Sequence, residues 1–220
     1  MPLPSGLESH IIMPFYKAIE IQSNSTLYLW KITEDFDALF REVRLKDVSL
    51  SRLKGMKSES HQKGFMAVRL LLQHLGYSDF DLYYDELGKP HLQDGTHLSI
   101  SHSHGFSGVL ISDQNVGLDI EQLKPKTLNI AGRYMEISHL ENLSEADKLE
   151  KATIIWGIKE CVFKIKNEVG ISFIDHIFEN DFMLADKKCT VELRFNNKIE
   201  HLAVFFDVIE NYVFVCAFAK

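Results

Sequence analysis

The chain has 220 residues, with 24 Lys and Arg against 31 Asp and Glu, so its formal charge is −7 when the histidines are neutral. This balance argues against a nucleic-acid-binding protein, whose affinity depends on clustered Lys and Arg that neutralise phosphates. Hydrophobic residues make up 45% of the chain and charged residues 25%, which is typical of a globular protein and excludes a disordered one. We therefore expect one large domain or two smaller lobes.

The cysteines and the N-terminus bear on the cellular compartment. Cys161, Cys189 and Cys216 lie far apart and form no CxxC pair, so we interpret them as reduced thiols of the core. Residues 1–6 lack the basic head and the long apolar run of a signal peptide, and no segment approaches 18 apolar residues. We expect a cytoplasmic protein that neither spans nor binds a membrane.

The first half of the chain is predicted to contain strands followed by helices. Apolar residues three and four positions apart predict a helix over 35–44, and Ser49 or Ser51 is expected to cap the helix after it. A longer helix is predicted over 60–74, with Gly76 as its end. Strands are predicted over 11–21, 26–32, 81–84, 97–101, 109–112 and 116–121.

The second half is predicted to contain helices followed by strands. Short helices are expected over 128–133 and 138–143, and a long one over 145–166. The remaining predicted strands are 182–185, 190–195, 202–208 and 212–219. Because strands and helices occur in blocks, the order favours an α+β fold over a doubly wound sheet. Residues 113–115 are the best internal boundary, which would divide the chain into 1–113 and 114–220.

Two carboxylates stand out on the strand predicted over 116–121. Strand side chains alternate, so Asp119 and Glu121 share one face while Leu118 and Ile120 share the other. Neighbouring carboxylates repel each other unless they are solvated or share a cation, and hard oxygen ligands of this kind suit Mg²⁺. The alternative is a solvated strand edge.

The long predicted helix carries a second group of polar residues. Trp156, Lys159, Glu160 and Lys164 fall on one side of the helix, and apolar residues fall on the other. The alternative to a functional face is an exposed surface with a Glu160–Lys164 pair.

Serines and histidines alternate at the end of the strand predicted over 97–101. Their hydroxyls and imidazoles, together with backbone N–H groups, suit phosphate oxygens. His97, His102 and His104 are an alternative zinc site, although the usual two clusters of ligands are missing.

The positive charge is concentrated in residues 41–69. This segment has eight Lys and Arg against three acidic residues, which gives +5 and leaves −12 for the rest of the chain. It is either a solvated helical face or the wall of a pocket for a polyanionic ligand.

Four motifs occur together in one order: Gly-Lys-Pro at 88–90, Ser-Ile-Ser-His-Ser at 99–103, G-x-D-x-E at 117–121 and W-x-x-K-E-x-x-x-K at 156–164. With them, the sequence resembles the 4′-phosphopantetheinyl transferases, specifically the long single-chain type that is a pseudo-dimer. The resemblance runs from about residue 69 to 166. It implies an α+β fold of two pseudo-symmetric lobes, each a long helix on a small antiparallel sheet, with the active site between them.

The resemblance also implies a reaction. The 4′-phosphopantetheine arm of coenzyme A passes to a serine hydroxyl of an acyl- or peptidyl-carrier protein, and adenosine 3′,5′-bisphosphate is released. Asp119, Glu121 and Glu160 would bind Mg²⁺, Glu160 would accept the serine proton, and Lys164 would contact phosphate oxygens. Carrier proteins of fatty acid biosynthesis are among the implied partners, and we expect a monomer.

The resemblance implies cofactor contacts as well. Arg69 and His102 would bind the adenosine 3′-phosphate, and Lys89 would lie beside the adenine. The further implied contacts are Ser101, Ser103, Lys54 and Lys57. Two departures from the family's motifs are His104, which precedes Gly105 after the serine-histidine motif, and residues 133–136, which match only loosely.

Two other functions stay open at this point. One is a metal-dependent phosphoester hydrolase that uses His97, His102, His104 and Asp119. The other is a non-catalytic module that binds carrier proteins.

Overall fold

A computed structural model describes residues 15–219, so the first four residues of the strand predicted over 11–21 lie outside the described part. The strands are β1 (Phe15–Gln22), β2 (Ser25–Lys31), β3 (Leu82–Tyr84), β4 (Pro90–Leu92), β5 (His97–Ser103), β6 (Phe106–Ser112), β7 (Val116–Gln122), β8 (Ile177–Glu179), β9 (Lys188–Phe195), β10 (Lys198–Ile209) and β11 (Tyr212–Ala219). The helices are α1 (Phe36–Glu42), α2 (Asp47–Gly55), α3 (Glu59–His74), α4 (Lys126–Ile130), α5 (Glu145–Lys166) and α6 (Phe173–His176).

Two antiparallel sheets form the framework. The first has the order β1-β2-β6-β5 and the second the order β7-β11-β10-β9-β8, while β3 and β4 form a separate hairpin. The chain passes from the first sheet to the second through residues 113–115. The expected α+β fold, with a long helix on each antiparallel sheet, is confirmed.

Three buried clusters hold these layers together. Helix α3 packs its apolar face on the first sheet, and α5 packs on β7 and β11 of the second. The third cluster lies between the sheets and joins Leu27 and Leu29 of β2 to Leu118 and Ile120 of β7. Burial of so much apolar surface between the sheets is what holds the two halves together.

The edge strands β5 and β7 are joined by serine side chains. The Ser99 hydroxyl accepts the backbone N–H of Leu118 at 2.9 Å, and the Ser101 hydroxyl accepts that of Ile120 at 3.1 Å. Both serines are buried, so these bonds satisfy N–H groups that an edge strand leaves unpaired. The alternating serines therefore link the two sheets.

Several predicted element positions are wrong. Helix α2 begins at Asp47 with Lys46 as its N-cap, so Ser49 and Ser51 lie inside it and cap nothing. The strand predicted over 182–185 is replaced by a 3-10 turn, Leu184–Asp186, and the fifth strand of the second sheet is β8 instead. Three residues are too few for β8 to show an alternating pattern, and its place at the sheet edge depends on its pairing with β9.

The interpretation of the cysteines as free core thiols is confirmed for Cys161 and Cys216, which are buried, whereas Cys189 is free but only half-buried. Within residues 15–219, none of the helices combines the length and apolarity needed to cross a membrane.

Candidate functional site

The polar face of β7 lies against α5, as the alternation of its side chains predicted. Leu118 and Ile120 are buried between the sheets, while Asp119 and Glu121 point towards the helix. The approach is close because Gly117 has no side chain: a Cβ there would lie 2.3 Å from the backbone oxygen of Cys161. The glycine of the G-x-D-x-E motif therefore allows both carboxylates to reach the residues of α5.

Asp119 lies at the centre of this contact. Its Oδ1 accepts the Lys164 ammonium at 2.8 Å and the Ser101 hydroxyl at 3.3 Å. Its Oδ2 is buried and has no hydrogen-bond partner among the described residues. A buried, unpartnered carboxylate oxygen is costly unless it meets a proton donor or a cation, so Oδ2 is a candidate cation ligand.

Glu121 and Glu160 lie on either side of Asp119. The indole N–H of Trp156 donates to Glu121 Oε1 at 3.3 Å. Burial and then the charge of Asp119 raise the pKa of Glu121 to about 7. Burial, followed by the same charge, also raises the pKa of Glu160. The three carboxylates, which we call the carboxylate cluster, thus share one region and repel each other, which favours binding of a proton or a cation.

Lys164 carries the positive charge of this region. Its ammonium also donates to the backbone oxygen of Leu118 at 2.8 Å. Desolvation is the largest single effect and opposes its charge, but the combined attraction of Asp119, Cys161 and Glu160 outweighs it, so the pKa of Lys164 is raised. Lys164 therefore pairs with β7 and not with Glu160 along the helix.

Lys159 is directed elsewhere, although the helical spacing placed it with Glu160 and Lys164. Its side chain is buried and its ammonium pairs with Glu179 of β8 and with the backbone oxygen of Ile177. Burial lowers the pKa of Lys159. This lysine anchors α5 to the second sheet and takes no part in the carboxylate cluster.

The raised pKa of Glu121 predicts that the stability of the folded protein depends on pH, which can be measured without an activity assay. Its pKa is about 7 in the folded protein and 4.5 in an ordinary glutamate, so the folded state holds the extra proton. Its contribution to stability is present below pH 4.5 and is lost as the pH rises through 7. In urea unfolding with EDTA, the Glu121→Gln variant should not show this loss. Its free energy of unfolding at pH 8 should exceed that of the wild type by up to about 3 kcal/mol.

The matched control for this experiment is Glu141→Gln, because Glu141 is exposed. It should follow the wild-type pH profile. Parallel profiles for Glu121→Gln and the wild type would contradict the raised pKa of Glu121.

A cavity of about 270 Å³ adjoins the carboxylate cluster. It lies between α2, α3, the β3–β4 turn, β5 and the end of α5. Its wall carries five basic side chains: Arg52, Arg69, Lys89, His102 and Lys164. We call it the basic cavity. A concentration of cationic groups around one concave space is suited to a polyanion.

Some basic side chains of this wall are already paired. Arg69 is 3% exposed and donates to Asp79 at 3.2 Å and to the Tyr84 hydroxyl at 3.1 Å. Arg52, which the sequence analysis did not select, is exposed, and its guanidinium lies over the rings of Tyr84, at 5.0 Å, and Phe65, at 5.8 Å. Arg52 is therefore the more accessible of the two guanidinium groups. Its only signal in the sequence was its membership of the basic segment 41–69.

His102 contributes an imidazole to the wall. Its ring lies against Gly64 of α3, where a Cβ would come within 3.0 Å of it. Desolvation by the surrounding protein, followed by the nearby positive charges, including those of Lys164 and Arg69, lowers the pKa of His102.

The remaining residues of the predicted cofactor site take other positions. Lys54 and Lys57 are exposed and lie outside the wall, although Arg52 and Met56 from the same stretch belong to it. Ser101 is buried in the link between β5 and β7, and Ser103 is half-buried at the end of β5.

The histidines proposed for a zinc site do not come together. His97 and His102 are five residues apart on β5 and so point to opposite faces. His104 lies in the following turn, where it contacts Lys124. Within residues 15–219, no three His, Cys, Asp or Glu side chains lie in a ready-made metal-binding arrangement. The separation of the histidines does not favour the hydrolase. The finding that no three such side chains lie in a ready-made arrangement applies equally to Asp119, Glu121 and Glu160 among the described residues.

Comparison with known proteins supports the family resemblance that the four motifs indicate. The chain is 31% identical over 118 residues to the 4′-phosphopantetheinyl transferase Sfp of Bacillus subtilis (strain 168), a match that covers 49% of this chain and 53% of the relative. It is 30% identical over 142 residues to the transferase ffp of Bacillus subtilis, which covers 60% of this chain and 63% of the relative. It is 25% identical over 190 residues to the transferase gsp of Aneurinibacillus migulanus, a match that covers 83% of this chain and 74% of the relative.

The chain is therefore similar to proteins of the 4′-phosphopantetheinyl transferase superfamily. The match spans between about half and two thirds of the length of the first two relatives, and no family model matches the chain. In this chain, the motifs at 117–121 and 156–164 form a single contact between β7 and α5. The motifs at 88–90 and 99–103 both contribute to the basic cavity.

Proposed function

We propose that the chain is a holo-carrier-protein synthase. It transfers the 4′-phosphopantetheine arm of coenzyme A to a serine hydroxyl of an acyl- or peptidyl-carrier protein and releases adenosine 3′,5′-bisphosphate, with Mg²⁺ as cofactor. The names of the similar proteins support the transferase class.

One observation carries the proposal: Lys164 lines the basic cavity while its ammonium contacts Asp119 of the carboxylate cluster. A polyanionic cofactor in the cavity would therefore have its reacting phosphate beside the acidic groups. Transfer of a substituted phosphate needs this combination, because catalysis comes mainly from positioning and from neutralisation of developing charge.

The carboxylate cluster fits a magnesium ion by its chemistry. Asp119 Oδ2 is a buried oxygen without a partner among the described residues, and Glu121 and Glu160 repel Asp119 and each other. Asp119, Glu121 and Glu160 would hold the ion. When bound, it would supply positive charge to the pyrophosphate of coenzyme A and to the leaving phosphate.

The protein's own groups supply the proton transfer and the phosphate contacts. We assign Glu160 as the base, because its raised pKa makes it a better proton acceptor at neutral pH and because Glu121, whose pKa is also raised, already accepts the Trp156 indole N–H. One of its oxygens takes the proton of the carrier serine as the hydroxyl attacks phosphorus. The Lys164 ammonium donates to an oxygen of the transferred or bridging phosphate.

The basic cavity would receive the adenosine part of coenzyme A. Arg52 and His102 are open to solvent on its wall and are suited to the 3′-phosphate, while Arg69 supports them from its buried pair with Asp79. An anion beside His102 would favour its protonated form, against the lowered pKa that it has in the free protein.

The proposal is tested with coenzyme A, Mg²⁺ and a panel of apo carrier proteins from fatty-acid, polyketide and peptide synthesis. Intact-mass spectrometry should show at least one carrier gaining one phosphopantetheine arm. The carrier with its acceptor Ser replaced by Ala is the control and should keep its mass. Unchanged masses for the whole panel would refute the transferase, and carrier binding without transfer would favour the non-catalytic module.

A further inference from the structure

Lys89 connects the turn between β3 and β4 to the end of α5, beside the basic cavity. It lies in the turn between β3 and β4, and its ammonium donates to the backbone oxygen of Ile165 at 2.8 Å and to Asn115 Oδ1 at 3.0 Å. The Asn115 amide donates to the same Ile165 oxygen at 3.3 Å. We call Lys89, Asn115 and the Ile165 oxygen the Lys89 tether.

The turn that carries Lys89 is held in one conformation. Asp85 Oδ1 accepts the backbone N–H groups of Leu87 at 3.0 Å and of Lys89 at 2.8 Å, and the N–H of Asp85 donates to the Lys89 oxygen at 3.0 Å. Gly88 has a φ of +85°, a conformation that glycine adopts without strain. The tether thus begins from a preorganised turn.

The other end of the tether is the last turn of α5. The final four carbonyls of a helix have no partner within it, and a cation near this end is favoured by the helix dipole. The Ile165 carbonyl belongs to this group. Asn167, the C-cap residue after the helix, has a left-handed backbone conformation. The same turn carries Phe163 and Lys164 of the cavity wall.

We propose that Lys89 is a positioning residue that acts through the Ile165 carbonyl to hold the last turn of α5, and with it Lys164, between the basic cavity and Asp119. Its ammonium is committed to protein acceptors and not to the adenine. The effect that we expect on the transfer rate rests on the proposed transferase function. The effect that we expect on the last turn of α5 does not.

The experiment compares Lys89→Met with Lys89→Arg and with the control Lys148→Met, which removes a partly exposed lysine that pairs with Glu145 at the start of α5. For Lys89→Met, we expect amide hydrogen exchange in residues 163–167 to quicken about tenfold and the transfer kcat to fall about tenfold. The Kd for adenosine 3′,5′-bisphosphate, measured by calorimetry, should stay within about twofold. Lys89→Arg should restore most of the protection, and Lys148→Met should leave residues 163–167 unchanged.

One result would overturn the proposal, and the Kd measured with it would decide the alternative. That result is wild-type exchange in residues 163–167 of Lys89→Met; if the Kd is then also about tenfold weaker, Lys89 is assigned to the adenosine. If Lys89→Met does not fold, Asn115→Ala decides, because it keeps the Lys89–Ile165 bond and should quicken exchange in the same residues to a smaller extent. If the wild type transfers nothing, the proposed function fails, while the exchange result still tests the tether.

Discussion

Replacement of Glu160 by glutamine is expected to lower the rate of phosphopantetheine transfer about 10³-fold while the protein stays folded. Glutamine has nearly the same size but cannot accept the proton of the carrier serine. The change also removes one of the charges that repel Asp119, so stability should be unchanged or increased. Initial rates are measured by intact mass of the carrier, and folding by circular dichroism and thermal unfolding.

Glu145→Gln is the matched control, since Glu145 is exposed in the first turn of the same helix. It should transfer at the wild-type rate. A wild-type rate for Glu160→Gln would remove Glu160 from the mechanism.

Gly117→Ala is expected to destabilise the protein by about 3 kcal/mol or more. The added Cβ would lie 2.3 Å from the backbone oxygen of Cys161 and 2.8 Å from its carbonyl carbon. Neither atom can move unless β7 and α5 separate, and this would also break the contact between Asp119 and Lys164. Urea unfolding monitored by tryptophan fluorescence measures the loss.

Two other glycines provide a graded comparison. At Gly55 an added Cβ would meet nothing within 4 Å, so Gly55→Ala should be neutral or slightly stabilising. At Gly157 the nearest atom, at 2.6 Å, belongs to the Val215 side chain, which can shift more easily than backbone, so Gly157→Ala should fall between the other two. A stability of Gly117→Ala equal to that of Gly55→Ala would contradict the packing argument.

The local patterns in the sequence predicted the elements of the site well. The helix predicted over 145–166 has these bounds in the structure, because its apolar periodicity is long and Ser144 caps it. The alternation along β7 correctly placed Asp119 and Glu121 on one face. Both patterns depend on the geometry of a single helix or strand, which neighbouring residues largely determine.

Patterns of this kind did not identify the partners of each side chain. Helical spacing grouped Lys159 with Glu160 and Lys164, yet Lys159 pairs with Glu179 of a strand that was not predicted. Ser101 was expected beside the cofactor and instead links β5 to β7. In both cases the partner is distant in sequence, and no local signal reports it.

The sequence alone determined the fold class, the resemblance to 4′-phosphopantetheinyl transferases and the residue types available for the chemistry, because motif order and side-chain periodicity are properties of the chain itself. Only the tertiary structure decided which basic groups are free and which are paired. Arg69 is occupied by Asp79, Lys89 by Ile165 and Asn115, and Arg52 stays open on the cavity wall. The physical reason is that hydrogen bonds and charge pairs form between groups brought together by folding, whatever their separation along the chain.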